Sequence, residues 1–261
     1  MKILNTNDVK KELITELSTS TIENNLHILA MNPSEEELYY RDYIIKRCRE
    51  FEIGYFYKEF DLYASKEDII AYTNSCNNKD GFIILLPFDK FDGISYLKEN
   101  IKLKDVDAFT YKSMGHAMAG NSNYLPATPK SVVKYLEKNE DLKSKNIVIA
   151  NRTELIGLPL STYLMNKGAT VTVINSETKN PIDYIKNSHI FISAIGRADY
   201  YDKSYFKDGQ TIIDVGTSIV NGKIKGDVNY EDLEDLDVKV LTCKKGIGAI
   251  TTLTLLQGLI D

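Results

Sequence analysis

Residues 146–179 read NIVIANRTELIGLPLSTYLMNKGATVTVINSETK, and two periodicities follow one another in them. The runs 147–150 and 169–174 are short, apolar and rich in β-branched residues, which is typical of buried strands. Between them, from Glu154 to Lys167, apolar residues recur at helical spacing. The order strand, helix, strand predicts a βαβ unit, around which we expect an α/β fold with a parallel sheet.

The turn between the first strand and the helix carries groups that bind anions. Asn151, Arg152 and Thr153 offer backbone N–H groups and a guanidinium, and Gly157 allows close backbone packing. The segment has no G-x-G-x-x-G, so spacing alone does not separate a dinucleotide site from plain packing. Arg152, with Ser176 at the position that reads the adenosine ribose, favours a ribose carrying an extra phosphate. The residues therefore predict NADP rather than NAD.

The bulk properties exclude several classes of protein. The chain has 261 residues, enough for two domains, and a formal net charge of -5, so no basic surface is expected for nucleic acid or anionic lipid. Cys48, Cys76 and Cys243 are far apart and lack a histidine cluster, which predicts free thiols in a reducing compartment and no metal site. No signal-peptide pattern is present, and no apolar stretch approaches the ~20 residues of a membrane span. We therefore expect a cytoplasmic protein.

The N-terminal half predicts a second α/β layer. Ser34 and Glu37 form a capping-box pattern that opens a helix, which Gly54 would end. Tyr43 and Lys46 share one face of this helix, although a solvated face is the simpler interpretation of that spacing alone. The predicted elements of this half are a helix at 8–17, a strand at 27–31, a helix from 34 to about 52, a strand at 55–60, a helix at 66–74 and an apolar strand at 81–87.

The domain boundary is predicted near residue 122. Small polar residues fill 116–123, and Thr128 then looks like the cap of a helix at 129–137. Further along, two strands end in Gly196 and Gly216, where open α/β sheets bind ligands. A glycine turn at 246–251 then leads into an apolar helix that we expect to pack against the first domain.

With these segments in order, the chain resembles the methylenetetrahydrofolate dehydrogenase/cyclohydrolase family over essentially its whole length. The matching blocks are KDVDAF (104–109), YLPATPKSVV (124–133), NRTELIGLP (151–159), ATVTVINSET (169–178), IIDVG (212–216), GDVNY (226–230) and GIGAIT (246–251). Seven blocks in the correct order are more specific than any single block.

The resemblance implies two α/β domains with a cleft between them. Residues 1–121 plus 249–261 would form a folate-side catalytic domain, and residues 122–248 a Rossmann-like NADP-binding domain. The implied reaction is hydride transfer from methylenetetrahydrofolate to NADP, followed by hydrolysis of the methenyl product. A tetrahydrofolate derivative is the implied partner, and a homodimer is the implied assembly.

The family's proton-handling residues are a tyrosine and a lysine on one helix, with a glutamine on a neighbouring strand. Aligning Gly54 with the glycine that ends this helix in the family puts the lysine at Lys46, with Tyr43 as the stand-in for the tyrosine. A shift of two residues instead matches Tyr40 to the tyrosine and Ile44 to the lysine. We prefer the first alignment.

Other positions of the family site are partly retained. Asp107 matches the carboxylate that holds the pterin, whereas Leu85 replaces the glutamine and can neither orient water nor bond an amine. Gly246 and Gly248 lie in an altered folate loop that has gained Lys244 and Lys245. These changes predict a dehydrogenase whose cyclohydrolase activity is weakened or lost.

On the cofactor side, the resemblance assigns NADP to Asn151, Arg152, Thr153, Ser176 and Thr217. Thr217 replaces an isoleucine beside the nicotinamide-side turn. Two other interpretations remain open at this point: a non-catalytic relative that binds folate or nucleotide, and a dehydrogenase for a different substrate.

Overall fold

A computed structural model describes residues 1–88 and 91–260. The chain divides into two compact units, one of Met1–Lys11 with Thr128–Thr251 and the other of Glu12–Ala127 with Thr252–Asp261. The assignment of folate to 1–121 plus 249–261 and of NADP to 122–248 stays a prediction. The last of these residues, Asp261, lies outside the described residues. Within the described ranges, every helix is too short or too polar to cross a membrane.

The helices and the strands are each numbered in chain order. The helices are α1 (Asn7–Thr19), α2 (Glu35–Glu50), α3 (Lys66–Ser75), α4 (Ile94–Asn100), α5 (Tyr111–Met118), α6 (Ala127–Asn139), α7 (Gly157–Asn166), α8 (Pro181–Lys186) and α9 (Gly248–Gln257). The strands are β1 (Lys2–Leu4), β2 (Leu26–Met31), β3 (Tyr55–Phe60), β4 (Gly81–Ile84), β5 (Lys104–Asp105), β6 (Asn146–Ala150), β7 (Thr170–Ile174), β8 (Ile190–Ser193), β9 (Thr211–Asp214), β10 (Ser218–Val220), β11 (Lys223–Lys225) and β12 (Lys239–Leu241).

The unit that contains residues 12–127 is built on a four-stranded parallel sheet in the order β3-β2-β4-β5. Every residue of β2 is buried, as expected for a central strand covered on both faces. Helix α2 begins with the predicted capping box: the Glu37 N–H donates to Ser34 Oγ at 3.3 Å, and the Ser34 N–H donates to Glu37 Oε2 at 2.7 Å. The helix ends earlier than predicted, because Glu52, with φ of 55°, takes the left-handed conformation before Gly54 is reached.

The other unit is built on a six-stranded parallel sheet in the order β1-β12-β9-β8-β6-β7. The strand order reverses at β6, since β7 pairs on one side of it and β8 on the other. In open α/β sheets, ligands bind outside the carboxyl ends of the strands at such a switch point. The predicted anion-binding turn directly follows β6 and therefore lies at this point.

Two details of this unit differ from the sequence prediction. Helix α6 begins at Ala127, so Thr128 lies inside the helix rather than capping it. Helix α7 begins at Gly157 instead of Glu154, because Asn151 fixes the preceding residues in a turn. The two-stranded sheet of β10 and β11 has no counterpart in the prediction.

Candidate cofactor and substrate sites

Asn151 organises the turn after β6. Its Oδ1 accepts hydrogen bonds from the Thr153 N–H at 2.8 Å, the Thr153 hydroxyl at 2.8 Å and the Gly157 N–H at 3.0 Å. Its Nδ2 donates to the Ala194 carbonyl at 2.7 Å, which connects the turn to the end of β8. One side chain thus fixes both ends of the turn and the start of α7.

Gly157 is required by the close approach of that turn. A Cβ atom at this position would lie 1.8 Å from the Asn151 carbonyl oxygen, so any side chain would displace the backbone. The first turn of α7 is thereby drawn against the end of β6. This single glycine does the packing work that a glycine-rich fingerprint performs elsewhere, and the turn fits the phosphates of a dinucleotide.

The polar side chains around this turn are exposed. Arg152 lies on the surface, and Ser176, just after β7, is exposed as well. Glu177 follows, with its Oε1 3.5 Å from Ser176 Oγ. The segment 175–178, predicted to read the adenosine ribose, therefore places a carboxylate beside Ser176.

The carboxyl ends of β8 and β9 form the rest of this edge. Gly196 takes the left-handed region with φ of 66°, and Thr217 is exposed just after β9. A Cβ atom at Gly216 would lie 2.1 Å from the Asp227 carboxylate, so the glycine makes room for a buried acid. The predicted cofactor residues 151–153, 176 and 217 all follow strands of this one sheet.

In the other unit, Asp105 and Asp107 have separate tasks. Both oxygens of Asp105 accept hydrogen bonds, from the N–H groups of Asp107, Phe109 and Thr110 and from the Thr110 hydroxyl. The chain turns sharply here, since Ala108 has φ of 54°. Such strain in a non-glycine residue is common where a fold holds a functional group in place.

The Asp107 carboxylate is held by one oxygen. Its Oδ1 accepts the N–H of Ala127, the first residue of α6, at 2.7 Å. Burial raises the pKa of this carboxyl to about 7, against the effect of that hydrogen bond and with a further contribution from the charge of Asp105. A carboxylate has about four acceptor sites, so this hydrogen bond leaves Asp107 with acceptor capacity for a ligand.

The tyrosine near Asp107 is Tyr40. Burial, and next the charge of Asp107, raise the pKa of its phenol above the ordinary value. Tyr43 is engaged elsewhere, because its hydroxyl accepts a hydrogen bond from Arg47 Nη2 at 3.0 Å. Lys46 is exposed. The sequence signal for Tyr40 was the alternative alignment shifted by two residues.

Apolar side chains lie at two positions where the family has polar ones, Ile44 under the alternative alignment and Leu85 under either alignment. Ile44, one turn after Tyr40 on α2, is fully buried with 0% exposure. Leu85, directly after β4, is 3% exposed. Neither side chain can accept or donate a proton.

The segment after β12 contains the remaining predicted site residues. Gly246 is buried, and a Cβ atom there would lie 2.2 Å from the Thr242 carbonyl oxygen, whereas Gly248 is exposed at the start of α9. The Thr6 hydroxyl donates a hydrogen bond to the carbonyl oxygen of Lys245 or to that of Gly246, each 3.2 Å from Oγ1. Lys244 and Lys245 themselves are exposed.

One unit is thus an open parallel sheet with an anion-binding turn at its switch point, as in dinucleotide-binding proteins. Residues 126–261, just over half of the chain, match the model of the tetrahydrofolate dehydrogenase/cyclohydrolase NAD(P)-binding domain. The chain is 33% identical over 252 residues to the bifunctional protein FolD of Clostridium perfringens (95% of this chain, 91% of the relative). It is 37% identical over 196 residues to that of Clostridium beijerinckii (73% and 70%).

A solved structure with a similar fold is FolD methylenetetrahydrofolate dehydrogenase/cyclohydrolase from Campylobacter jejuni. It has a TM-score of 0.89 and 28% identity, covering 100% of this chain and 97% of that one. The chain belongs to the tetrahydrofolate dehydrogenase/cyclohydrolase family. The predicted family, the two-domain α/β fold class and an NAD(P)-binding domain are thereby confirmed.

Proposed function

We propose that this protein oxidises methylenetetrahydrofolate to methenyltetrahydrofolate, with NADP as the hydride acceptor. The observation that carries the proposal is the Asp107 carboxylate, whose Oδ1 accepts the Ala127 N–H and which has further acceptor sites. A pterin presents a ring N–H beside an amino group, and such a pair of donors fits a carboxylate. Family membership supplies the reaction class, and Asp107 supplies the anchor for the substrate.

Each residue has a defined task in this proposal. NADP, when bound, supplies the nicotinamide ring that accepts hydride. The turn at 151–153 holds the phosphates with backbone N–H groups, and Arg152 pairs with the phosphate on the ribose. Asp107, in its ionised form, orients the pterin.

We assign Tyr40, rather than Tyr43, as the tyrosine that contacts the substrate, because the Asp107 charge contributes to the raised pKa of its phenol. The Tyr43 hydroxyl is occupied by Arg47. Under this assignment the lysine position falls on Ile44, and Lys46 lies outside the site. Tyr43 and Lys46 stay the competing assignment.

Cyclohydrolase activity is weak in this proposal. Hydrolysis of the methenyl group needs groups that move protons to and from water and the ring nitrogen. Ile44 and Leu85 are buried hydrocarbons at the positions where the family places a lysine and a glutamine. The dehydrogenase step does not require them, since the cofactor takes the hydride and the substrate nitrogens stabilise the cation.

The test is absorbance of the purified protein with methylenetetrahydrofolate and NADP, following reduced cofactor and methenyl product at separate wavelengths. Both signals rising together support a dehydrogenase with little cyclohydrolase activity. Reduced cofactor without accumulating methenyl product, beyond its spontaneous hydrolysis, contradicts the cyclohydrolase part. Absence of both signals, with either ligand still binding by titration, favours a non-catalytic relative. Oxidation of another substrate without affinity for tetrahydrofolate favours the third interpretation.

The homodimer and the cytoplasmic location are also proposals. They rest on the family resemblance and on the sequence.

A further inference from the structure

A buried network of acids and hydroxyls connects two loops at the carboxyl ends of β8, β9 and β12. Its centre is formed by Asp214, the last residue of β9, and Asp227, both with 0% exposure. The Asp227 N–H donates to Asp214 Oδ1 at 3.1 Å. Two carboxylates this deeply buried need compensating donors, and the structure supplies them.

Asp227 holds the loop after β8. Its Oδ2 accepts the Ser193 hydroxyl at 2.6 Å and the Ile195 N–H at 2.8 Å. Its Oδ1 accepts the Arg197 N–H at 2.8 Å. The loop that contains Gly196 is therefore fixed by one side chain.

Asp214 reaches the loop after β12 through Tyr230. Asp214 Oδ2 accepts the Val228 N–H at 3.0 Å and the Tyr230 hydroxyl at 2.5 Å. The Tyr230 oxygen in turn accepts the Cys243 N–H at 3.0 Å. A continuous chain of hydrogen bonds thus runs from Asp214 to residues 242–248, which we call the β12 loop.

The glycines around the network leave it room. A Cβ atom at Gly226 would lie 2.0 Å from Asp214 Oδ2 and 2.3 Å from the Tyr230 oxygen. Residue 226 must therefore be glycine for the Asp214 carboxylate and the Tyr230 hydroxyl to lie where they do.

We propose that Tyr230 and Asp214 are positioning residues that fix the β12 loop for the folate substrate. This inference rests on the proposed function, because it takes Gly246 and Gly248 of that loop as substrate contacts. Tyr230 does not itself touch substrate in this proposal. It acts through the Cys243 N–H, and Asp214 orients its hydroxyl so that the oxygen lone pair faces that N–H.

Tyr230→Phe is the first variant to make. The change removes the acceptor of the Cys243 N–H and leaves the ring in place. Tyr163→Phe is the matched control, because Tyr163 is buried in the same unit, where Tyr230 is half-buried, and its hydroxyl also donates to a carboxylate, that of Glu137 at 2.9 Å. Thermal unfolding of both variants is measured first, so that a folded protein is compared in each case.

Hydrogen exchange, measured by mass spectrometry without ligands, tests directly whether Tyr230 holds the β12 loop in place. Exchange in a peptide covering the β12 loop should rise about tenfold or more in Tyr230→Phe and stay unchanged in Tyr163→Phe. Asp214→Asn is the second variant, and it keeps the Cys243 bond. Its single acceptor oxygen replaces two, so the amide nitrogen faces either the Val228 N–H and the Tyr230 hydroxyl or the Asp227 N–H, and a smaller rise is expected. Unchanged exchange in both Tyr230→Phe and Asp214→Asn contradicts the claim that these residues fix the β12 loop, whatever activity the protein has.

Kinetics test the positioning role. The KM for methylenetetrahydrofolate should rise about tenfold in Tyr230→Phe, with kcat and the KM for NADP within about twofold of the unaltered protein. A rise in exchange without a rise in that KM overturns the positioning role. An equal rise in both KM values also overturns it. If the unaltered protein lacks dehydrogenase activity, the proposed function has failed, and hydrogen exchange still decides whether Tyr230 and Asp214 fix the β12 loop.

Discussion

In the proposed cofactor site, two exposed residues of opposite charge lie where the ribose phosphate of NADP would bind. Arg152 follows β6 and offers a guanidinium, whereas Glu177 follows β7 and places its carboxylate 3.5 Å from Ser176. A bidentate guanidinium–phosphate pair is among the stronger polar contacts, and a nearby carboxylate weakens it. Discrimination between NADP and NAD therefore depends on the balance of these two charges.

Arg152→Ala should raise the KM for NADP about tenfold or more and change the KM for NAD by less than about twofold. Initial rates with each cofactor measure this. Glu177→Gln is the opposing control and should lower the KM for NADP. Equal effects of Arg152→Ala on both cofactors would remove the phosphate role from this residue.

If Asp107 holds the pterin as proposed, substrate binding depends on pH. Burial raises the pKa of its carboxyl from 3.8 to about 7, and only the ionised form accepts both pterin donors. The KM for methylenetetrahydrofolate should therefore rise as the pH falls through 7, and Asp107→Asn should show a high KM without this dependence. A wild-type KM that stays flat between pH 6 and pH 8 would contradict the assignment.

The same carboxyl affects stability in the opposite direction. Because its folded pKa is raised, its contribution to the free energy of unfolding is complete below pH 3.8 and is lost as the pH rises through about 7. Asp107→Asn should thus flatten this part of the dependence of thermal stability on pH. The variant separates binding from folding, since it harms the first and spares the second.

At the scale of elements, α2 distinguishes the two alignments of the family tyrosine and lysine. If Tyr40 serves the substrate, Tyr40→Phe should raise the KM for methylenetetrahydrofolate several-fold, whereas Tyr43→Phe and Lys46→Ala should change it little. The matched pair is informative because both tyrosines lie on one helix and are half-buried. A loss of activity confined to Tyr43→Phe and Lys46→Ala would restore the other alignment.

In the proposed function, the end of β4 and the middle of α2 limit the hydrolytic step. Leu85→Gln alone restores one polar group while Ile44 stays a hydrocarbon, so we expect a small gain in methenyl hydrolysis. Leu85→Gln combined with Ile44→Lys restores both family groups and should give the larger gain, measured as decay of the methenyl absorbance. Ile44→Met with Leu85→Gln is the control without the amine. Equal rates in the two double variants would locate the deficit elsewhere.

Much of the fold follows from local sequence signals. The capping box at Ser34, the alternation of apolar runs and the glycines after strands locate most strands and helices to within a few residues. These signals are local, and so is the turn at Asn151. The start of α7 was missed because a side chain six residues earlier sets it.

The features that sequence reasoning missed depend on contacts between distant residues. Pairing of β1 with β12 joins residues about 237 positions apart, as Lys2 with Lys239, and carries no periodic signal. The link from Tyr230 to Asp214 and Cys243 likewise appears only when the end of β9, residues 226–230 and the β12 loop come together. Tyr40 was identifiable only as one of two alignments, because its relation to Asp107 spans 67 positions.

At the scale of the whole molecule, the ribbon of β10 and β11 forms a sheet of its own. Among the described strands, these two pair only with each other, and Ile219, Val220 and Ile224 are 65%, 37% and 46% exposed. Apolar side chains clustered on an exposed ribbon are typical of protein interfaces. The proposed homodimer gives this ribbon a partner.

Light scattering after size exclusion should therefore give twice the mass of one chain. Ile219→Asp with Ile224→Asp should shift the protein to the monomer, because each would bury an unpaired charge in the interface. Leu158→Asp is the control, since Leu158 is also exposed, at 49%, but lies on α7. A monomer before any substitution would contradict the homodimer. A dimer that survives the double substitution but dissociates in Leu158→Asp would move the interface from the ribbon to α7.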